Sequence, residues 1–355
     1  MKCIFAVPSL REEFGGPATL VLGLGDSLRR AGVEISYHTS DGSHASYGPT
    51  LDPNAWTEAE VIHNFGVWTP FNHGVCALAQ RIRKPYLISP LGMLEPWALS
   101  QKRLKKRLAW RLYQRRDLLR ASALHATSEM ELGNLRALGV DRVIYVIPHA
   151  VDLPPASEVQ QNSKRPDGMR IALFLSRIHK KKGVLQLIQA WAALRPVDWL
   201  LFIAGPENSN HGRYIKKVVR DLNLCEHIFF LGPAYGEIKN ALFGKADIFI
   251  LPTFSENFGM VVAEALSYGV PVITTRGAPW SQLIASKSGW WIETGVKPLI
   301  AALHEALQMP SAELRAMGTR GRNLIKNNFN WDNVAEGHID AYSEQIQASR
   351  QEFDQ

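Results

Sequence analysis

The sequence is poor in cysteine. Its 355 residues include only Cys3, Cys76 and Cys225, far apart and without a C-x-x-C pair, which argues against both a disulfide framework and a zinc site. Long apolar runs are missing too. None approaches the roughly 20 residues needed to span a bilayer, and the short apolar stretch after Met1 is interrupted at Arg11, Glu12 and Glu13, too early for a secretory signal. The expected compartment is the cytoplasm. Acidic residues are scarce in one place above all: between Gln101 and Arg120, nine basic residues face Asp117 alone. That local charge of +8 exceeds the +7 of the whole chain and leaves the remainder close to neutral. A basic excess confined to one segment argues against a nucleic-acid binder, which spreads its cations over a broader surface.

What is present is a globular composition, 46% hydrophobic and 21% charged, on a chain long enough for two domains. Apolar runs at 2–8, 33–39, 61–63, 86–89, 123–127 and 142–147 read as strands, and the pattern restarts at 170–175, 199–204, 228–231, 247–251 and 270–274. Strands alternating with helices imply α/β units with parallel sheets, whose ligands sit beyond the strand carboxyl ends. The polar stretch 154–168, with Pro154, Pro155 and Pro166, reads as a linker. The expected domains are 1–165 and 166–330, followed by a helix over 331–355.

Several strand ends carry candidate ligand groups. Gly15 and Gly16 follow the first strand, where paired glycines admit a phosphate or sugar close to the backbone, or simply make a flexible turn. Gly23-Leu24-Gly25 falls inside a helical pattern, so it is not a dinucleotide fingerprint. His63, Ser89, Gly92 and Glu95 belong at strand ends on the ligand side, although His63 reads more readily as a structural histidine bonded to backbone. In the basic segment, Leu104, Leu108, Leu112 and Leu119 lie within about 80° of a helical wheel. The helix either turns this stripe to the core or leans on anionic lipid headgroups. Arg177, Lys180, Lys181 and Lys182 end another strand, placed to meet phosphate or merely to be solvated.

The most informative stretch runs from Asp247 to Ile273. Two apolar runs, the first stopped by Pro252, flank a segment that predicts a helix of about three turns, with Val262, Ala265 and Leu266 on one face and Gly269 closing it. Glu256 and Glu264 bracket this unit. At 1.5 Å per residue they stand roughly 10–12 Å apart, about the span of a nucleotide-sugar from ribose to hexose. The Phe258-Gly259 peptide falls at the helix N-terminus, where free N–H groups favour phosphate. The plain alternative is one first-turn acid and one solvated acid.

This Glu-x7-Glu with Phe-Gly inside resembles the signature of the retaining glycosyltransferases of family 4, which have the GT-B fold. The resemblance implies two Rossmann-like domains with parallel sheets facing across a cleft, and a C-terminal helix crossing back to the first. It implies that Glu256 faces the donor sugar, that Glu264 binds the ribose, and that Arg177 and Lys182 hold the diphosphate. Gly15, Gly16, Gly232, Asn257, Phe258, Gly259 and Met260 complete the implied donor set, with Gly232 beside the base. His63 and Glu95 fall on the acceptor side. The run Ser89-Pro90-Leu91-Gly92-Met93-Leu94-Glu95-Pro96-Trp97 resembles bacterial enzymes of exopolysaccharide and lipopolysaccharide synthesis, and it lacks the histidine that many family members carry after the fourth strand. His149-Ala150 likewise departs from the family's Asn-Gly. With no Asp-x-Asp anywhere, the expected enzyme uses no metal and no cofactor. It moves a hexose from a nucleotide diphosphate sugar to a glycan or lipid-linked acceptor, with residues 101–120 at an anionic membrane. Its rivals are a nucleotide-sugar 2-epimerase and a peripheral membrane protein with a vestigial donor site.

Overall fold

A computed structural model describes residues 1–11, 16–43, 54–159, 168–207 and 210–353. The chain divides into two compact units, one of residues 1–150 and 331–355, the other of residues 151–330. The division after Ala150 differs from the expected boundary at 165. Val151 already belongs to the second unit's core, and its amide bonds to the Phe329 carbonyl at 3.0 Å.

The first unit holds β1 (Lys2–Val7), β2 (Glu34–Thr39), β3 (Val61–Phe65), β4 (Tyr86–Ser89), β5 (Ala123–Ala126) and β6 (Val143–Val146). They form one sheet in the order β2-β1-β3-β4-β5-β6, with every pairing parallel. Both faces are covered, as the twofold alternation of a strand requires. In β1, Cys3, Phe5 and Val7 join one core cluster while Ile4 and Ala6 join another. The first cluster packs against the helix Gly16–Arg30 and the terminal helix Trp331–Phe353. Gly23 lies where these two helices meet, since a Cβ there would come within 2.3 Å of the Trp331 ring. Gly23 and Gly25 are thus packing glycines inside a helix, with no part in a nucleotide turn.

The second unit holds β7 (Arg170–Leu175), β8 (Trp199–Ala204), β9 (Ile228–Gly232), β10 (Ile248–Leu251), β11 (Val272–Thr275) and β12 (Gly289–Ile292). Their order is β12-β11-β10-β7-β8-β9, again all parallel. The strand order reverses between β7 and β10. Connections leaving these two neighbours run to opposite sides, which opens a crevice at their carboxyl ends.

The basic segment departs from a uniform helix. Arg103–Ala109 and Arg115–Arg120 are α-helical, but Trp110–Gln114 between them is a π-helix, whose wider turn shifts the phase of everything after it. Gln114, Asp117 and Leu118 are buried, whereas Leu104, Leu108 and Leu112 are 81%, 60% and 65% exposed. This overturns the core-facing reading for those three leucines.

Candidate active site

The switch point of the second sheet gathers most of the residues that the sequence singled out. The loop after β7 carries Arg177 and a 3₁₀ turn, Lys180–Lys182. The loop after β10 carries Glu256, and the loop after β11 lies alongside it. Close backbone approach locks the three together. Gly183 has φ +73°, and a Cβ on it would stand 2.0 Å from the Pro252 carbonyl oxygen. A Cβ on Gly277 would meet Thr253 and Phe254 backbone at 2.6 Å. Glycine is required at both places, at Gly183 by φ as well as by space. The Lys181 carbonyl accepts from the Phe254 amide at 2.8 Å and the Thr253 hydroxyl at 3.1 Å, so Lys181 acts through its backbone. Glu256 donates its own amide to the Gly277 carbonyl at 2.6 Å.

On this frame the Lys182 ammonium forms an ion pair with the Glu256 carboxylate, both nearly buried. Residues 74 positions apart in sequence are thereby placed at one point. Arg177, on the same loop as Lys182, is exposed. Beyond Glu256 the chain turns through Gly259, in the left-handed region at φ +82°, into the helix Met260–Ser267. That helix is two turns long rather than three. The rise of 1.5 Å per residue therefore applies only from Met260 onward, and the distance argued from eight helical steps does not hold. Val262, Ala265 and Leu266 are buried as expected, and Gly269 closes the helix at φ +73°. Met260 packs partly against the core, Phe258 is buried, and Asn257 is half-buried.

Glu264 lies one turn into this helix, ion-paired with Lys239 at 2.9 Å. Lys239, on the helix Gly236–Lys245, went unnoticed in the sequence. Its local context is unremarkable, and only the return of a chain segment 25 residues away makes it a partner. Gly232 ends β9 at φ +74° with open space where a side chain would project. Its carbonyl accepts from the Gly205 amide at 2.7 Å.

The first-unit candidates fare differently. Gly15 lies outside the described residues, and Gly16 opens the helix Gly16–Arg30 instead of lying in the loop. His63 is fully buried, which fits its reading as a structural histidine and not its placement on the ligand side, although its partners are side chains and not backbone. It belongs to a hydrogen-bonded chain on one face of β3, β4 and β5. His63 Nδ1 meets the Tyr342 hydroxyl at 2.6 Å, His63 Nε2 meets Ser89 Oγ at 2.6 Å, Ser89 Oγ meets His125 Nδ1 at 2.7 Å, and His125 Nε2 meets the Ile147 carbonyl at 2.7 Å. That last carbonyl can only accept, which fixes every proton in the chain. His125 donates to Ile147, Ser89 donates to His125, His63 donates to Ser89, and Tyr342 donates to His63. Burial lowers the pKa of His125 to about 4 and pushes that of His63 well below its usual value, so neutral rings are what this arrangement needs. Glu95 is also buried, at the start of the helix Pro96–Ser100. Both side chains are thus buried rather than exposed at a strand end. Gly92 instead donates its amide to the buried Glu131 carboxylate at 2.7 Å, which also accepts from the Thr127 amide at 2.8 Å.

The basic segment forms a second feature. Trp110, Arg111, Arg115, Arg116, Leu119 and Arg120 line a surface concavity of about 580 Å³. The one acid of the segment, Asp117, is buried and turned to His73 at 2.8 Å.

Two parallel Rossmann-like sheets, the second with charged loops at its switch point, define a class of protein. Solved structures of that class overlie nearly all of this chain. Sucrose-phosphate synthase from Thermosynechococcus elongatus superposes with a TM-score of 0.77 at 20% identity, over 98% of this chain and 100% of that one. HepE from Anabaena, solved with UDP-glucose, does so at 0.75 and 17% identity, over 97% and 100%. These likenesses speak for the fold, which is GT-B. The family model described as glycosyl transferases group 1 matches residues 156–324, and that of the glycosyl transferase 4-like domain matches residues 50–150. The chain belongs to this family of GT4-type glycosyltransferases. A curated relative, D-inositol 3-phosphate glycosyltransferase from Salinispora tropica, is 28% identical over 256 residues, 65% of this chain and 52% of the relative. The chain spans about half the length of the curated relatives it matches.

Proposed function

We propose that the protein transfers a hexose, with retention of anomeric configuration, from a nucleotide diphosphate sugar to a glycan or lipid-linked acceptor in cell-surface polysaccharide synthesis. The observation that carries this reading is the Lys182–Glu256 ion pair at the switch point of the second sheet, with Arg177 on the same loop and the start of the helix Met260–Ser267 beside it. An anionic diphosphate takes the cations and the helix N-terminal amides. This releases Glu256 to the sugar hydroxyls. Glu264, held by Lys239, receives the ribose at the other end. The charge that grows on the leaving phosphate is stabilised by Arg177, Lys182 and the Gly259 amide. The leaving phosphate itself accepts the proton of the incoming hydroxyl, so the reaction as proposed calls for no metal and no cofactor. A structural neighbour was solved with UDP-glucose, which favours uridine donors as the first to test.

The same proposal places the enzyme at the cytoplasmic face of an anionic membrane. Among the described residues no helix is long and apolar enough to cross a bilayer. The exposed Leu104, Leu108 and Leu112, interleaved with cations, have the composition of an interfacial helix, and the arginine-lined concavity continues it.

The test is a screen of UDP- and GDP-hexoses for nucleoside diphosphate release with lipid-linked acceptors, followed by proton NMR of the product. Turnover with the donor's own anomeric configuration is expected. An inverted product contradicts retention, and acceptor-independent isomerisation of the donor contradicts transfer.

A further inference from the structure

The end of β11 and the loop that follows it, residues 275–281, contact the backbone of residues 253–259 at three points. The Thr275 hydroxyl donates to the Thr253 carbonyl, the Gly277 carbonyl accepts the Glu256 amide at 2.6 Å, and the Trp280 indole N–H donates to the Phe258 carbonyl at 2.6 Å. The third contact bears on chemistry. Trp280 is fully buried, packed at 5.2 Å between ring centroids against both Phe258 and Phe329. It cannot touch a ligand, so whatever it does is done through the peptide it holds.

That peptide is Phe258-Gly259. A trans peptide is planar, with its C=O and N–H pointing in opposite directions. Fixing the Phe258 carbonyl on the indole therefore aims the Gly259 N–H away from Trp280. Among the described residues no acceptor takes this N–H, and it stands at the start of the helix Met260–Ser267, where the helix dipole adds positive potential. Gly259, at φ +82°, has no Cβ to restrict its backbone, so the orientation of this peptide depends on what holds it. The loop leading to Trp280 is itself held, since Trp291 Nε1 donates to the Ala278 carbonyl at 2.8 Å.

We infer that Trp280 is a positioning residue for anion capture: its indole N–H orients the Phe258-Gly259 peptide so that the Gly259 amide is preset for a phosphate oxygen of a nucleoside diphosphate. This rests on the donor-site reading given above and adds to it a residue that never contacts donor. Preorganisation of this kind acts on the phosphate and not on the nucleoside.

The experiment compares calorimetric titration of UDP and of uridine into wild type, Trp280→Phe and Trp280→His, with GDP and guanosine run in parallel. Phenylalanine keeps an aromatic ring without a donor. Histidine places Nε2 at the ring position of the indole nitrogen and so keeps one. Trp280→Phe is expected to weaken diphosphate binding about tenfold, as one misaligned charge-assisted hydrogen bond should, with nucleoside affinity unchanged. Trp280→His is expected to recover most of the diphosphate-to-nucleoside ratio. An unchanged ratio in Trp280→Phe overturns the inference while leaving the donor site standing. A parallel loss of both ligands also overturns it, because it marks a packing role only. Failure of wild type to bind either diphosphate overturns the donor-site reading and this inference with it. Should Trp280→Phe not fold, a ratio in Trp280→His reduced as much as a donorless ring would reduce it refutes the role of the N–H, and a near-wild-type ratio supports it.

Discussion

The buried histidines make stability depend on pH, and the amount can be worked out. His125 and His338 are both buried, with pKa values pushed down by burial to about 4 and about 3. His63 and His149 are also buried, and burial holds both well below the usual value. In the unfolded chain each titrates near 6.5. A folded pKa below the unfolded one means that the unfolded state binds the extra proton first, so stability is fully present above about pH 6.5 and falls as pH is lowered toward the folded values. From pH 7 to pH 5 His125 and His338 each remove about 2 kcal/mol, together about 4 kcal/mol, on the order of half of a typical domain's stability, and His63 and His149 act in the same direction. Protonation has a specific structural cost as well. A charged His125 would present Nδ1–H to the Ser89 hydroxyl, which would have to reverse, and reversal sets two donors against each other at His63 Nε2. Urea denaturation at pH 7, 6 and 5, followed by far-ultraviolet circular dichroism, measures the effect. A loss below about 1 kcal/mol between pH 7 and pH 5 would refute the assignment of neutral buried rings.

Three further outcomes follow from the geometry. Lys239→Gln should weaken nucleoside diphosphate affinity roughly fivefold to tenfold, about 1–1.4 kcal/mol, and shrink the preference for UDP over 2′-deoxy-UDP, because Glu264 loses the cation that holds it; equal preference in variant and wild type counts against a ribose role. Gly183→Ala should cost at least about 3 kcal/mol, adding the left-handed penalty to a collision with the Pro252 carbonyl, and thermal melting with a shift under 2 °C would contradict it. Replacing Lys102, Lys105 and Arg107 with glutamine should weaken binding to phosphatidylserine vesicles by about 1 kcal/mol per cation that reaches the surface; vesicle co-sedimentation unchanged by the substitutions or by salt would remove the membrane from the account.

Much of this architecture was legible because its signals are local. Strand periodicity, Pro252 at a strand end and Gly269 at a helix end each depend on residues within a turn of one another, and they placed the unit around Glu256 and Glu264 near its observed position. The Lys182–Glu256 pair was legible only as two separate expectations, one cation for phosphate and one carboxylate for sugar. Their direct contact depends on β7 and β10 being neighbours in the sheet. The π-helical turn left no mark in the sequence: a wheel of 100° per residue put Leu119 on the stripe of Leu104 and Leu108, and one wide turn separated them. His63 carried two readings because a strand-end histidine looks the same whether its face meets a ligand or, as here, the terminal helix carrying Tyr342. Lys239 and Trp280 act on residues 25 and 22 positions away, beyond the reach of any local pattern.

The central claim is that Glu256 and Glu264 hold opposite ends of one nucleotide sugar, and one paired measurement tests it most directly. Glu256→Gln and Glu264→Ala are each titrated with free nucleoside diphosphate and assayed for steady-state transfer. Glu264 acts far from the bond being broken, so its loss should weaken nucleotide binding and raise the donor KM while largely sparing kcat. Glu256 faces the sugar as charge develops, so its loss should depress kcat and leave nucleotide affinity nearly intact. If Glu256→Gln instead loses nucleotide binding while Glu264→Ala keeps it, the donor lies the other way round and the proposed site is wrong.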